Sequence, residues 1–136
     1  MKLKQDKGIY CLIIKLSRST KIKVGSLGKI DFLKGVYLYS GSAMNGLTNR
    51  INRHRKKQKK LFWHIDYLLN SRYAKIIFVI PIKTDKRLEC ILNRMVSQFP
   101  DATPVKGFGC SDCKCETHLF YFKEKDFKQT IKEIKL

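Results

Sequence analysis

An α+β fold, a small antiparallel or mixed sheet flanked by helices, follows from three features of the sequence. Strand-type runs rich in β-branched and aromatic residues (GIYCLIIKL, GVYLYSG, AKIIFVIPI) are interrupted by stretches whose apolar residues recur at helical spacing. Glycines and prolines punctuate the joins. The chain has 136 residues, enough to bury an apolar core without disulfide staples. No internal repeat or low-complexity linker divides it. Residues 1–136 therefore read as one domain, with a core over about 8–122 and a charged tail over 123–136.

Taken in order, GIYCLIIKL at 8–16 is apolar on alternate and intervening positions alike, which predicts a strand covered on both faces. Two further apolar runs, IKVG and GVYLYSG, lie within 21–42 on either side of the turn-like LGKIDFLKG, which predicts an antiparallel meander. Tyr10 and Tyr39 then fall on neighbouring strands. Over 47–60 helix formers take over, with Leu47, Ile51 and the stem of Arg55 on one face. FWHIDYLL at 62–69 predicts a second helix with Phe62, Ile65, Leu68 and Leu69 inward. AKIIFVIPI is a strand that Pro81 ends, and Asp85 caps a third helix in which Leu88, Ile91, Leu92, Met95, Val96 and Phe99 keep a helical period until Pro100. LFYF near the end is a short strand.

Lys and Arg number 29 against 11 Asp and Glu, a formal charge of +18. So large an excess predicts a polyanionic partner, nucleic acid before membrane. No apolar run approaches the roughly 18 residues of a membrane span, and MKLKQDKGIY lacks the apolar stretch of a signal peptide, so a cytosolic location is expected. An odd count of cysteines, five, fits a reducing compartment with thiols rather than disulfides. Cys11 and Cys90 read as small buried hydrophobes.

Several motifs occur in a fixed order. Gly8-Ile9-Tyr10 opens the first strand and Tyr39-Ser40-Gly41 ends another; Gly41-Ser42-Ala43 leads into a helix carrying Arg50 and, four residues on, His54. That spacing puts both side chains on one helical face. Glu89 lies in KRLECIL, and GFGCSDCKCETHLF stands near the end. In these residues the sequence resembles the GIY-YIG nuclease superfamily from Gly8 to about Phe122, and within it a branch whose members occur alone or fused to endonuclease III-like DNA glycosylases. The resemblance implies a GIY-YIG-type sheet and a metal-dependent DNA endonuclease, with repair as its setting. A non-catalytic DNA- or RNA-binding module on the same fold is the alternative.

The resemblance also implies a division of labour among Tyr10, Tyr39, Arg50, His54 and Glu89. Tyr10 or Tyr39 would assist deprotonation of the attacking water, Arg50 would hold the scissile phosphate through its planar fork, and His54 would relay protons. A phenol with an ordinary pKa of about 10 is a poor base, so a nearby cation must lower it or the phenol must act as an orienter. Glu89 would carry one divalent cation, magnesium or manganese. Ser40 replaces the apolar middle residue of the family motif, and Tyr37, on the same strand face as Tyr39, competes for the second tyrosine role.

The run RINRHRKKQKK at 50–60 predicts a phosphate-tracking surface made by Arg53, Arg55, Lys56, Lys57, Lys59 and Lys60, with His64 beside it. His64 and Asp66 read either as a hydrogen-bonded pair or as cleft residues, with Trp63 and Tyr67 anchoring their helix. Cys110, Cys113, Cys115 and His118 gather zinc-type ligands within nine positions, so zinc is a second cofactor the sequence admits. The alternative for this segment is a Gly- and Asp-rich loop beside the cleft.

Overall fold

The protein is described by a computed structural model covering residues 6–109 and 114–134. Its principal sheet has five strands in the order β5-β1-β4-β7-β6, every neighbouring pair antiparallel. These are β1 (Gly8–Leu16), β4 (Gly35–Ala43), β5 (Ala74–Lys83), β6 (Thr103–Pro104) and β7 (Leu119–Phe122). The fold is α+β, as the sequence predicts.

Alternation along β1 builds two cores. Tyr10, Leu12, Ile14 and Leu16 join one cluster, beneath helices α1 (Leu47–Arg55) and α2 (His64–Leu69), through Leu47, Ile65 and Leu68. Cys11 and Ile13 join the other, beneath α3 (Glu89–Ser97) and α4 (Glu124–Ile134), through Val96 and Phe127. A strand covered on both faces must be apolar where it is covered, as residues 9–14 are, while Lys15 reaches out to pair with Glu124.

The meander takes a different form from the one expected. β2 (Thr20–Lys23) and β3 (Lys29–Phe32) pair only with each other, as a small hairpin sheet whose Phe32 packs under Tyr37 and Phe108. β3 lies inside the segment read as a turn. β1 therefore pairs directly with β4, setting Tyr10 opposite Gly41 and Leu12 opposite Tyr39.

Other boundaries shift for identifiable reasons. α1 stops at Arg55, and Lys59 Nζ folds back over its end, donating to the carbonyls of Arg53, His54 and Lys56 at 2.9–3.1 Å. The buried residues of α1 are Leu47 and His54, whereas Arg55 is exposed. α2 begins after Phe62, which is 71% exposed rather than inward. Pro81 lies within β5, tolerated because β5 is an edge strand. Leu88, not Asp85, precedes α3, and Ile91 and Met95 face outward. The charged tail forms α4, held by Phe127 against Phe122. Among the described residues no helix is long and apolar enough to cross a membrane.

Candidate active site

Both glycines of the two strand motifs are required by close approach. A Cβ on Gly8 would run into the Ile82 carbonyl of β5, and one on Gly41 would lie 2.6 Å from the Tyr10 hydroxyl. The second contact matters more for chemistry, since the absence of a side chain at 41 is what admits that hydroxyl.

Tyr10, Tyr39, Arg50 and Glu89 line one cleft of about 350 Å³, together with Ser40, Ser42, Phe62, Trp63, His64, Gly109 and His118. His54 stands directly behind it. Its Nε2 lies 2.7 Å from the Tyr10 hydroxyl, and its ring is 6.3 Å from that of Tyr39. All five residues implied by the resemblance thus converge on one place. Tyr37 does not: its hydroxyl donates to the Leu33 carbonyl at 2.6 Å and its buried ring packs on Phe32 and Tyr121. Tyr39 is the second tyrosine of the cleft.

Arg50 is held from two sides. Its Nη1 donates to the Ser42 carbonyl at 3.0 Å, and its guanidinium lies 4.4 Å from the centre of the Trp63 ring. Trp63 is thereby a cleft residue that also carries Arg53 at 4.4 Å, not only a helix anchor. Glu89, in the first turn of α3, accepts from Ser42 Oγ at 3.3 Å through Oε2, while its buried Oε1 has no hydrogen-bond partner. An unpaired buried carboxylate oxygen is costly in isolation and suits a hard cation.

Burial governs the protonation of the central pair. Desolvation pushes Tyr10 up to about 12 even though Arg50 pulls the other way, and it pushes His54 down to about 3, reinforced by the charge of Lys59. The expected lowering of a tyrosine pKa by a neighbouring cation is not found at Tyr10. The phenol is therefore neutral.

The basic run divides into two groups. Arg53 makes a two-pronged pair with fully buried Asp66, at 2.8 and 3.0 Å, and reaches the Lys60 carbonyl. Burial would raise the Asp66 pKa, but Arg53 and the backbone N–H groups of Phe62 and Trp63 hold it below the usual carboxylate range. Lys57 donates to the carbonyls of Leu69, Ser71 and Ala74 at 2.8–3.0 Å, as Lys59 does at the end of α1. Arg53, Lys57 and Lys59 thus serve the fold, although Lys57 is exposed, as are Arg55, Lys56 and Lys60. His64 pairs not with Asp66 but with Gly109, whose N–H donates to His64 Nδ1 at 2.8 Å. The neutral His64 ring therefore carries its proton on Nε2.

Sequence reading missed Asp66 as a corner-stone of the α1–α2 junction. Its signal was present, an acidic residue three positions after the N-cap. It also missed Cys90. One ligand atom each from Cys90, Cys115 and His118 lie within 4.8 Å of one another, forming a group able to hold a metal ion. The other predicted zinc ligands, Cys110 and Cys113, lie outside the described residues. Cys11 is buried as expected, but Cys90 is only half-buried.

These features define a class: a small basic α+β domain whose antiparallel sheet carries a tyrosine-, arginine- and glutamate-lined cleft. The chain belongs to the family described as Domain of unknown function DUF123, which matches residues 9–135. No curated protein and no solved structure matches it.

Proposed function

We propose that this domain is a cytosolic, metal-dependent DNA endonuclease of the GIY-YIG type, acting on structured or damaged DNA. The observation that carries the reading is the convergence of Tyr10, Tyr39, Arg50 and Glu89 on one cleft, with His54 bonded to Tyr10 behind it. The charge of +18 supports a nucleic acid as the partner.

In this reading a phosphate meets the remaining donors of the Arg50 fork, whose orientation Trp63 and the Ser42 carbonyl fix. Magnesium or manganese on Glu89 would supply Lewis-acid stabilisation of the phosphate charge. Tyr10 accepts a proton from the attacking water as its own hydroxyl proton passes to His54 Nε2. No free tyrosinate, which burial disfavours, is needed. The imidazolium so formed would lie near Arg50, Arg53 and Lys59, which oppose it, and the incoming phosphate charge offsets that repulsion. His64, a cleft residue whose Nδ1 is taken by Gly109, would donate to the same anion through Nε2–H.

Purified protein with magnesium or manganese is expected to nick plasmid and branched DNA. Arg50→Ala and Glu89→Gln should each lower the rate by about 10²–10³-fold, the usual cost of a charge-stabilising group. Equal nicking by both variants would contradict the assignment. A second reading, binding without cleavage, is favoured by one observation: Tyr10 and His54 are both held neutral and form a weak base at rest. It predicts salt-sensitive binding with no product under either cation.

A further inference from the structure

Next to the cleft residues Glu89 and His118, chemistry of a different kind is assembled, at a second pocket that Cys90 and Cys115 line. Cys90 follows Glu89 in the first turn of α3, and Cys115 and His118 belong to the chain entering β7. Two thiols and an imidazole, with ligand atoms within 4.8 Å of one another, bring together segments about 25 residues apart in sequence.

We propose that Cys90, Cys115 and His118 bind a zinc ion that fastens the segment before β7 to the start of α3, beside but separate from the cation site at Glu89. The ligand chemistry is the first reason. Two soft thiolates and one imidazole select zinc over magnesium or manganese, which take oxygen ligands. Geometry is the second. Tetrahedral zinc with bonds of about 2.0–2.3 Å sets its ligand atoms roughly 3.5–3.8 Å apart, so a shift of the two sulfurs by about an ångström brings three of its four ligands into place.

Independent support comes from the imidazole. His118 Nδ1 lies 3.1 Å from the Ser40 carbonyl, and a carbonyl can only accept, so Nδ1 carries the proton. That assigns Nε2 as the ligating nitrogen. Zinc-bound histidines characteristically donate their other N–H to a backbone carbonyl, which fixes both tautomer and ring orientation. Here the carbonyl belongs to β4, at the cleft itself. Asn93 Nδ2 adds a bond of 2.5 Å to the Thr117 carbonyl, bracing α3 against the same segment.

On binding, two thiol protons leave and two zinc–sulfur bonds form, with no change of oxidation state. The ion holds the backbone on both sides of the cleft wall, next to Glu89 in one segment and at cleft-lining His118 in the other. Its role is positional and does not depend on whether the cleft cleaves DNA.

Metal analysis and cobalt substitution test it on the full chain purified under reducing conditions. About one zinc per chain should survive dialysis, and cobalt(II) in its place should give thiolate-to-cobalt charge transfer with intense tetrahedral bands. Cys90→Ser and Cys115→Ser should weaken zinc binding by at least about tenfold and diminish the charge transfer, while Cys11→Ser leaves both unchanged. Should the ligand variants fail to fold, X-ray absorption of the wild-type zinc protein decides. At least two sulfurs with an imidazole nitrogen sustain the site, and an oxygen-only shell overturns it. Wild type without zinc or cobalt charge transfer, or Cys90→Ser with both intact, also overturns it.

Discussion

The two walls of the cleft are built differently. One, formed by β1, β4 and α1, rests on rings packed from 5.4 to 6.5 Å apart and one buried hydrogen bond, Tyr10 to His54. The other, formed by the start of α3 and the segment entering β7, presents the polar groups Glu89 and His118, while Cys90 and Cys115 line a second pocket. Packed rings hold the first wall, whereas the second carries the groups to which the two proposed cations are assigned. A contrast also runs through the basic residues: Arg53, Lys57 and Lys59 hold carbonyls or Asp66, whereas exposed Arg55, Lys56 and Lys60 are the ones the proposed nucleic-acid contact would use.

The largest effect that would break this comparison lies at Asp66. Asp66→Ala leaves Arg53 unpaired beside the buried backbone N–H groups of Phe62 and Trp63, and should cost about 3–5 kcal/mol in denaturant unfolding. A loss within about 0.5 kcal/mol, typical of surface changes, would show that the α1–α2 corner is not held this way.

His54 gives the next. Unfolded, it takes up a proton near its ordinary 6.5; folded, only near 3, because burial disfavours the charged ring. The unfolded state therefore binds more protons between those values, and stability falls as pH falls through that window. The slope is at most about 1.4 kcal/mol per pH unit from this residue, with His64, also lowered by burial, adding in the same direction. Unfolding free energy measured from pH 7 to 4 should flatten in His54→Gln, and an unchanged slope would contradict burial of the neutral ring.

Smaller effects separate the two kinds of lysine. Lys57→Met should destabilise by about 1–3 kcal/mol by stripping three carbonyls of their donor, as urea unfolding would report. Lys56→Met should leave stability within about 0.5 kcal/mol and lower the salt slope of DNA binding by about 1. Identical behaviour of the two would erase the distinction between structural and ligand-facing cations.

Much of this was legible in the sequence because it depends on local spacing. The β1 limits follow from an apolar run broken only by Lys15, and the Arg50–His54 pair from one helical turn. The hairpin β2–β3 was hidden because Gly28 and Gly35 bracket a strand of four residues, though Ile30 and Phe32 alternate as strand residues do. α4 was hidden by its charge, with Phe127 its visible apolar anchor. Which cations serve the fold was not legible. Lys56, Lys57 and Lys59 look alike in sequence, and only the meeting of helix ends in space gives two of them carbonyls to hold. Cys90 was obscured for the same reason, since its partners lie about 25 residues on.

The central claim is that the Tyr10 hydroxyl, admitted by Gly41 and bonded to His54, serves cleavage rather than binding. Tyr10→Phe removes one oxygen and keeps the ring. Cleavage and binding of the same branched DNA should be measured together with magnesium or manganese. The account predicts cleavage reduced by about 10²-fold or more, with affinity changed by no more than about twofold. Cleavage by Tyr10→Phe at the wild-type rate would contradict it.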